Sequence, residues 1–210
     1  MGVTAKLSGV RLQWQNLREP KEFDNGNRRF EATLIIEPDS DADKTLTSAM
    51  KEAAAARWGE DGAAIFKALT VKERVCRKDG NKQITKKGEA RPEFADMVFF
   101  TPYRAAKKGR PIVMNEFAER ADDENWNEFP KEGEGHLPRD GDYVKAQINV
   151  WAQDNPEGGQ RLNAELEILM HERDGDSLEY QGEIDSSIAD DFVAEMGAKE
   201  RPAETGGLRG

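Results

Sequence analysis

The chain has 210 residues, 37% of them hydrophobic and 34% charged, which suits one domain of about 150 to 180 residues followed by a tail. It contains no run of about 18 apolar residues and no signal-peptide pattern, so we expect a cytoplasmic protein. Cys76 is the single cysteine, which excludes an internal disulfide framework, and His136 and His171 are not expected to complete a metal site.

The formal net charge of −10 argues against a nucleic-acid partner, but the charges are segregated along the sequence. Residues 67–110 hold thirteen basic and five acidic side chains, whereas residues 174–195 hold eight acidic side chains and no lysine or arginine. A charge run is often only a solvated face. The segregation nevertheless leaves one basic segment that can contact phosphates.

The first predicted elements form a β-hairpin. A strand is predicted over residues 3–14, with Gly9 allowing a bulge, and residues 16–20 are expected to break it. Turn residues at 24–27 lead into a second strand over residues 28–36. In that strand alternate residues share one face, namely Phe30, Ala32, Leu34 and Ile36.

Helices and loops are predicted for the middle of the chain. A helix from about residue 42 to residue 58 has Leu46 and Met50 at helical spacing, and residues 64–69 are expected to add a short second helix. Residues 74–93 are basic and lack apolar periodicity, which predicts an exposed loop or mobile hairpin. Further along, a strand at 94–103 is expected to form a hairpin with 111–117 through a basic turn at 105–109, and an acidic loop follows at 119–139.

The most regular alternation lies in the last third of the chain. Residues 143–151 place Val144, Ala146, Ile148 and Val150 on one face, and a turn at 154–159 leads to an alternating strand with Leu162, Ala164, Leu166, Ile168 and Met170. The pattern predicts a mainly β fold of the OB type: a five-stranded Greek-key barrel with one main helix, extended loops and an acidic C-terminal tail. A β-sandwich is the alternative. We expect the barrel domain over residues 1–180 and the flexible tail over residues 181–210.

Aromatic and basic side chains on the outward faces are the candidate binding residues. Trp151, Tyr143 and Tyr103 are candidates for stacking on bases, because strand aromatics of OB barrels commonly do so. Arg28 and Arg29 are interpreted as ordinary surface charges. The remaining candidates would contact phosphates and base edges, and they are Lys145, Gln147, Asn149, Arg104, Lys107, Lys108, Arg110, Arg77, Lys78, Lys82, Lys86, Lys87 and Arg91.

Catalytic patterns are weak in this sequence. Asp39, Asp41, Asp43 and Lys44 superficially resemble the carboxylate and lysine set of metal-dependent nucleases. They crowd at the start of a predicted helix, where Asp and Ser cap free backbone N–H groups. We therefore expect no enzymatic activity and no cofactor.

Three stretches carry a resemblance to a known family. They are residues 16–21 (NLREPK), residues 29–36 (RFEATLII) and residues 142–159, which begin with DYVKA and include WAQDN at 151–155. In these stretches the chain resembles a bacteriophage family of single-stranded DNA-binding proteins. The resemblance implies an OB fold, sequence-independent binding of single-stranded DNA in phage replication, recombination or repair, and a location in the host cytoplasm.

The same resemblance extends in kind to the acidic tail. Acidic C-terminal tails of bacterial and phage single-stranded DNA-binding proteins recruit replication proteins, which makes replication or recombination proteins candidate partners. Here the acidic run, with Phe192, is followed by residues 199–210. Two other functions stay open at this point: an acidic interaction module that does not bind DNA, and a metal-dependent nuclease.

Overall fold

A computed structural model describes residues 2–24, 26–85, 87–129 and 135–176 of the chain. The binding candidate Lys86 and the expected tail at 181–210 lie outside these residues. No helix among the described residues is long and apolar enough to cross a membrane.

The N-terminal hairpin is formed by β1 (Gly2–Glu22) and β2 (Arg28–Ile36). The two strands pair antiparallel with Leu12 opposite Leu34, and the register of β1 against its other neighbour shifts at Gly9, whose φ is 64°. The predicted break at residues 16–20 is wrong. β1 continues to Glu22 through two irregularities, because Leu17 is buried in the core and holds this segment against the sheet.

Two helices follow, α1 (Asp41–Trp58) and α2 (Gly62–Val71). The Ser40 side chain accepts a hydrogen bond from the Asp43 backbone N–H at 3.3 Å, which caps α1 as Asp- and Ser-rich helix starts do. Leu46 and Met50 are buried at the predicted spacing, and α1 packs against β1. Gly62 lets α2 turn back closely on α1, since a Cβ there would lie 2.7 Å from the Ala55 Cα.

Five short strands occupy the middle of the chain: β3 (Lys78–Asp79), β4 (Val98–Phe100), β5 (Tyr103–Ala105), β6 (Ile112–Met114) and β7 (Arg120–Ala121). The predicted strand at 94–103 is divided. Phe94 belongs to a 3₁₀ turn and is fully buried, and Pro102, which has no N–H to donate, separates β4 from β5. Both short strands pair with β2, as one interrupted barrel strand.

Two predictions for this region need correction. β6 follows the 3₁₀ turn at Ala106–Lys108 but does not form a hairpin with β4 or β5. It pairs antiparallel with β7 on one side and runs parallel to a strand near the C-terminus on the other. The segment at 74–93 is not exposed throughout either. Val75 is buried in the core, and Gly80 packs so closely against the backbone oxygens of Phe94 and Met97 that no side chain would fit.

The longest hairpin consists of β8 (Tyr143–Asn155) and β9 (Gly159–Arg173). The predicted inward face of β8 is confirmed, because Val144, Ala146, Ile148 and Val150 are all buried. The alternation predicted for β9 holds only to Leu166. A bulge at Glu167 moves the next residues by one position, so Leu169 and His171 are buried where Ile168 and Met170 were expected.

The strands form one sheet in the order β3-β4-β2-β1-β8-β9-β6-β7, with β5 beside β2. The barrel wall consists of β1, β2, β4 with β5, β8 and β9, and their inward residues form one core with α1. Arg104 on β5 forms an ion pair with Glu165 on β9, with 2.8 Å between Nη1 and Oε1. This ion pair links the two strands at the ends of the series that forms the barrel wall. The fold is mainly β and of the OB type, as predicted.

Candidate nucleic-acid interface

A groove of about 1080 Å³ runs between the helices and the barrel. One wall comes from β4 and β5 with Phe99, Thr101 and Tyr103, and the floor comes from the start of β9 with Arg161 and Asn163. The opposite wall consists of α1, α2 and the segment 73–83. The groove carries six cations, which are Lys51, Arg74, Arg77, Lys78, Lys82 and Arg161, against four carboxylates, which are Asp39, Asp43, Glu73 and Asp79.

Arg77 is the most tightly held of these cations. Its Nε and Nη2 donate to the two Asp43 oxygens at 2.6 and 3.0 Å, and Asp43 Oδ2 also accepts from the Asp39 backbone N–H at 3.1 Å. Burial by itself would raise the pKa of Asp43, but the hydrogen bonds from Arg77 and Asp39 outweigh burial and hold that pKa below its ordinary value. Asp43 therefore stays ionised, and its charge neutralises Arg77.

Three other cations also have protein partners. Lys82 forms an ion pair with Glu73, and the ammonium of Lys78 donates to the Glu73 backbone carbonyl. Burial lowers the pKa of Lys78 below its ordinary value despite the neighbouring Glu73. The Arg74 guanidinium donates to the carbonyls of Gln160, at 2.9 Å, and Gly158, which anchors the helical side of the groove to the β8–β9 turn.

Arg161 and Lys51 are the remaining two of the six cations in the groove. Neither forms an ion pair within the described residues, and both side chains are exposed. Arg161 lies next to Asn163 on the same strand, which puts one cation and one amide on the floor. Arg161 and Asn163 were not among the predicted binding residues, because the prediction for β9 rested only on its apolar alternation.

The aromatic wall of the groove extends around Tyr103. The Arg29 guanidinium carbon lies 4.7 Å from the Tyr103 ring centroid and 4.0 Å from that of Phe23, so the cation sits between two rings. Arg29 also donates to Glu31 Oε2 at 2.8 Å. Arg29, which was interpreted as an ordinary surface charge, also contacts the aromatic wall, and Phe23, directly before the turn at 24–27, was the available signal.

A separate aromatic cluster supports the outer face of the same sheet. The Phe94 ring centroid lies 5.1 Å from those of both Trp14 and Phe99, and the Arg91 guanidinium carbon lies 4.6 Å from the Trp14 ring. Arg91 also forms an ion pair with Glu93, 3.6 Å between Nη1 and Oε1. Arg91 is thus held beside the groove, while Lys87 is exposed.

The three predicted stacking aromatics do not share one groove. Tyr143 lies at the opposite end of β8, where the Arg173 and Arg11 guanidinium carbons are 3.3 and 5.7 Å from its ring centroid. It is eight residues from Trp151, or about 26 Å along a strand. Trp151 is half-buried and pairs with Asn163, next to the groove but not in its lining. Tyr103 alone of the three lines the groove.

The other candidates on β8 lie along its outward face between those two aromatics. Lys145 is exposed, the Gln147 amide donates to Glu167 at 2.9 Å, and Asn149 Oδ1 is buried beside Gly2. These residues face away from the core as predicted. Their contact with DNA stays a prediction.

The basic turn after β5 is largely neutralised within the protein. Arg104 and Lys108 both contact Glu165, at 2.8 and 2.7 Å, and Arg110 forms an ion pair with Asp123 beside the Trp126 ring. Lys107 is exposed. The structure therefore places this turn at the junction of β5 and β9 and outside the groove lining.

The position of the groove agrees in part with the general binding face of OB barrels. Such barrels bind oligonucleotides on the face of their second and third strands, between the loops that join strands 1 and 2 and strands 4 and 5. In this chain those elements are β2, the interrupted strand β4–β5, the turn at 23–27 and the turn at 155–159. The strand β4–β5 lines the groove and Arg74 of the groove contacts Gly158 in the turn at 155–159, whereas β2 and the turn at 23–27 do not line it. The molecule belongs, by fold and groove, to the class of OB proteins with an aromatic and cationic cleft.

Its family follows from the sequence as a whole. Residues 3–202 match the model of the family described as Enterobacter phage Enc34, ssDNA-binding protein, and the chain belongs to this family. No curated protein matches the chain.

Solved structures share the fold. The single-stranded DNA-binding protein from bacteriophage Enc34 in complex with ssDNA is 24% identical, with a TM-score of 0.60 over 83% of this chain and 88% of that one. The same phage protein described without DNA gives 24% identity and a TM-score of 0.59 over 89% of each chain. The bacteriophage T7 protein gp2.5, a single-stranded DNA-binding protein, is 12% identical with a TM-score of 0.52 over 100% of both chains.

Proposed function

We propose that this protein binds single-stranded DNA in the groove between β4–β5, the start of β9 and the helices. The observation that carries the proposal is the placement of Tyr103, Phe99 and Arg161 in one cleft, one wall of which is β4–β5, a strand of the face on which OB barrels bind oligonucleotides. Family membership supports the same ligand, since the family is described by its ssDNA-binding phage protein.

The chemistry of the cleft suits a ligand with exposed bases and a charged backbone. The rings of Phe99 and Tyr103 supply stacking surfaces, which every base can use. Arg161 and Lys51 supply charges that have no carboxylate partner among the described residues. Asn163 can reach a base edge or a sugar. This combination favours a single strand over a duplex, and it favours little dependence on base sequence.

We infer a coating and protecting role in phage DNA replication, in the host cytoplasm, with recombination and repair as further settings. A non-enzymatic role is supported by the carboxylates of the groove, because Asp43 is engaged by Arg77 and by the Asp39 backbone. An acidic tail that recruits replication proteins is part of the same proposal and concerns residues outside the described ones.

The test is a titration of the full-length protein with a fluorescent oligonucleotide and with a blunt duplex of the same sequence, with and without magnesium. We expect tighter binding of the single strand, weakening with salt, and an intact oligonucleotide in both buffers. Equal affinity for the duplex would refute the proposal. Absence of binding would favour the interaction module, and magnesium-dependent cleavage would favour the nuclease.

A further inference from the structure

A cluster of two histidines and two carboxylates lies at the end of the barrel farthest along β8 from Trp151. It contains His136 and Asp142 from the segment before β8, His171 from β9 and Asp174 just after β9. One side-chain ligand atom from each of the four residues lies within 4.8 Å of the others, and the two imidazole centroids are 4.2 Å apart. We expected no metal site from the two histidines, but the fold brings them side by side.

The hydrogen bonds around the cluster fix which imidazole nitrogens face inward. His136 Nδ1 lies 2.9 Å from the Leu137 carbonyl oxygen, and His171 Nδ1 lies 3.1 Å from Glu116 Oε2. Since both partners are acceptors, each Nδ1 must carry the proton, which leaves a lone pair on each Nε2 of the neutral rings. Metal-binding histidines are commonly oriented in this way by a carbonyl or a carboxylate.

Both Nε2 atoms lie close to carboxylate oxygens. A lone pair and a carboxylate oxygen repel each other at such distances unless a proton or a metal ion lies between them. His136 Nε2 is 2.7 Å from Asp174 Oδ1, and His171 Nε2 is 3.3 Å from the same oxygen and 3.8 Å from Asp142 Oδ2. His171 is 3% exposed, and its Nε2 has no hydrogen-bond partner among the described residues. A buried lone pair pointing at carboxylates without a proton between them is costly unless a cation is present.

We propose that His136, His171, Asp142 and Asp174 bind one divalent transition metal ion, Zn²⁺ being the ion that suits this donor set. Two imidazoles and two carboxylates are ordinary Zn²⁺ ligands, and bonds of about 2.0 to 2.1 Å in a tetrahedron separate the donor atoms by about 3.3 Å. Asp174 is 82% exposed and leaves a path for the ion from solvent, while Glu116 orients His171 from behind.

The local backbone is built for close approach at this site. A Cβ on Gly135 would lie 2.5 Å from the Glu116 carboxylate, and a Cβ on Gly175 would lie 2.0 Å from the Gly141 carbonyl oxygen. The ion would therefore join the segment 135–142 to the end of β9.

The test uses tag-free full-length protein that has been treated with a chelator and then dialysed. Calorimetric titration with Zn²⁺ should give one ion per chain, Mg²⁺ should give no saturable binding, and Co²⁺ should give the visible spectrum of a tetrahedral site. Asp174→Asn should weaken Zn²⁺ binding by more than about tenfold, because even residues that only orient a ligand contribute about 10- to 100-fold. Asp176→Asn, two positions away and exposed, is the matched control and should bind like the wild type.

His136→Gln is a second variant, and it removes a proposed ligand from the segment before β8. Retention of the wild-type Zn²⁺ affinity by both Asp174→Asn and His136→Gln would overturn the assignment, as would absence of saturable Zn²⁺ binding by the wild type. In that case a proton on His136 would be the cation that holds Asp174. The measurement contains no DNA, so its outcome is independent of the proposed DNA-binding function.

Discussion

Replacing Tyr103 tests whether the groove is the DNA-binding surface. The Tyr103 ring lines the groove, and the Arg29 guanidinium sits 4.7 Å from its centroid, so the ring is held in place before any ligand arrives. One base stacked on an aromatic side chain contributes about 1 to 3 kcal/mol. We therefore expect Tyr103→Ala to weaken single-stranded DNA binding by about 5- to 150-fold.

The fold should survive this substitution. Tyr103 is only half-buried, and its loss removes a cation–π contact of about 0.5 to 1 kcal/mol, which is small against the stability of a domain. Tyr103→Phe keeps the ring and is the matched control, with binding close to that of the wild type. Tyr143→Ala, at the far end of β8, is the positional control.

The assay is fluorescence anisotropy with a labelled oligonucleotide at fixed salt, with unfolding curves for each variant. A folded Tyr103→Ala protein that binds as tightly as the wild type would refute the assignment of this groove. A large loss for Tyr143→Ala together with no loss for Tyr103→Ala would move the site to the face around Arg11 and Arg173.

Three further predictions concern charge. Arg161→Gln should reduce the slope of log affinity against log salt by about 0.7, which is the value for one phosphate contact on a single strand. Arg57 is exposed on α1 outside the groove, so Arg57→Gln should leave the slope unchanged. Asp43→Asn should cost about 1 to 3 kcal/mol in the free energy of unfolding at pH 7. Because the folded-state pKa of Asp43 is lowered, this stabilisation is present above about pH 4 and is lost as the pH falls through the folded-state pKa. The unfolding curves of variant and wild type should therefore converge in acid. Deletion after about Gly182 should tighten DNA binding at low salt, because tail carboxylates compete with phosphates, and equal affinity of the two forms across a salt series would reject that competition.

Local signals were sufficient for much of the barrel. The four inward residues of β8 alternate without interruption, and the structure buries all of them. The turn at 24–27 and the cap at Ser40 depend on residue types with narrow backbone preferences, so the hairpin and α1 were predictable as well. In these elements the pattern, the turn chemistry and the packing agree.

Predictions failed where a bulge or a distant contact decides the outcome. A single extra residue at Glu167 reverses the facing of β9 beyond it, and the apolar sequence continues through Ile168 and Met170 without marking the change. The path of β6 is set by parallel pairing with β9, more than 50 residues away in sequence. The meeting of His136 with His171 depends on that same region of β9, since the bulge is what turns His171 inward.

The basic segment at 67–110 shows why charge counts along a sequence overestimate a binding surface. Six of its thirteen cations pair with carboxylates among the described residues, and these pairs are Arg77 with Asp43, Lys82 with Glu73, Arg91 with Glu93, Arg104 and Lys108 with Glu165, and Arg110 with Asp123. Apart from Arg77 with the buried Asp43, these pairs are at least partly exposed and contribute little to stability, so phosphates can compete for their cations. A cation that exchanges a carboxylate for a phosphate still neutralises that phosphate and releases its condensed counterion. The salt dependence of binding therefore reports first Arg161 and Lys51, which have no ion-pair partner in the described part of the chain, and any excess counts the ion pairs that open when DNA enters the groove.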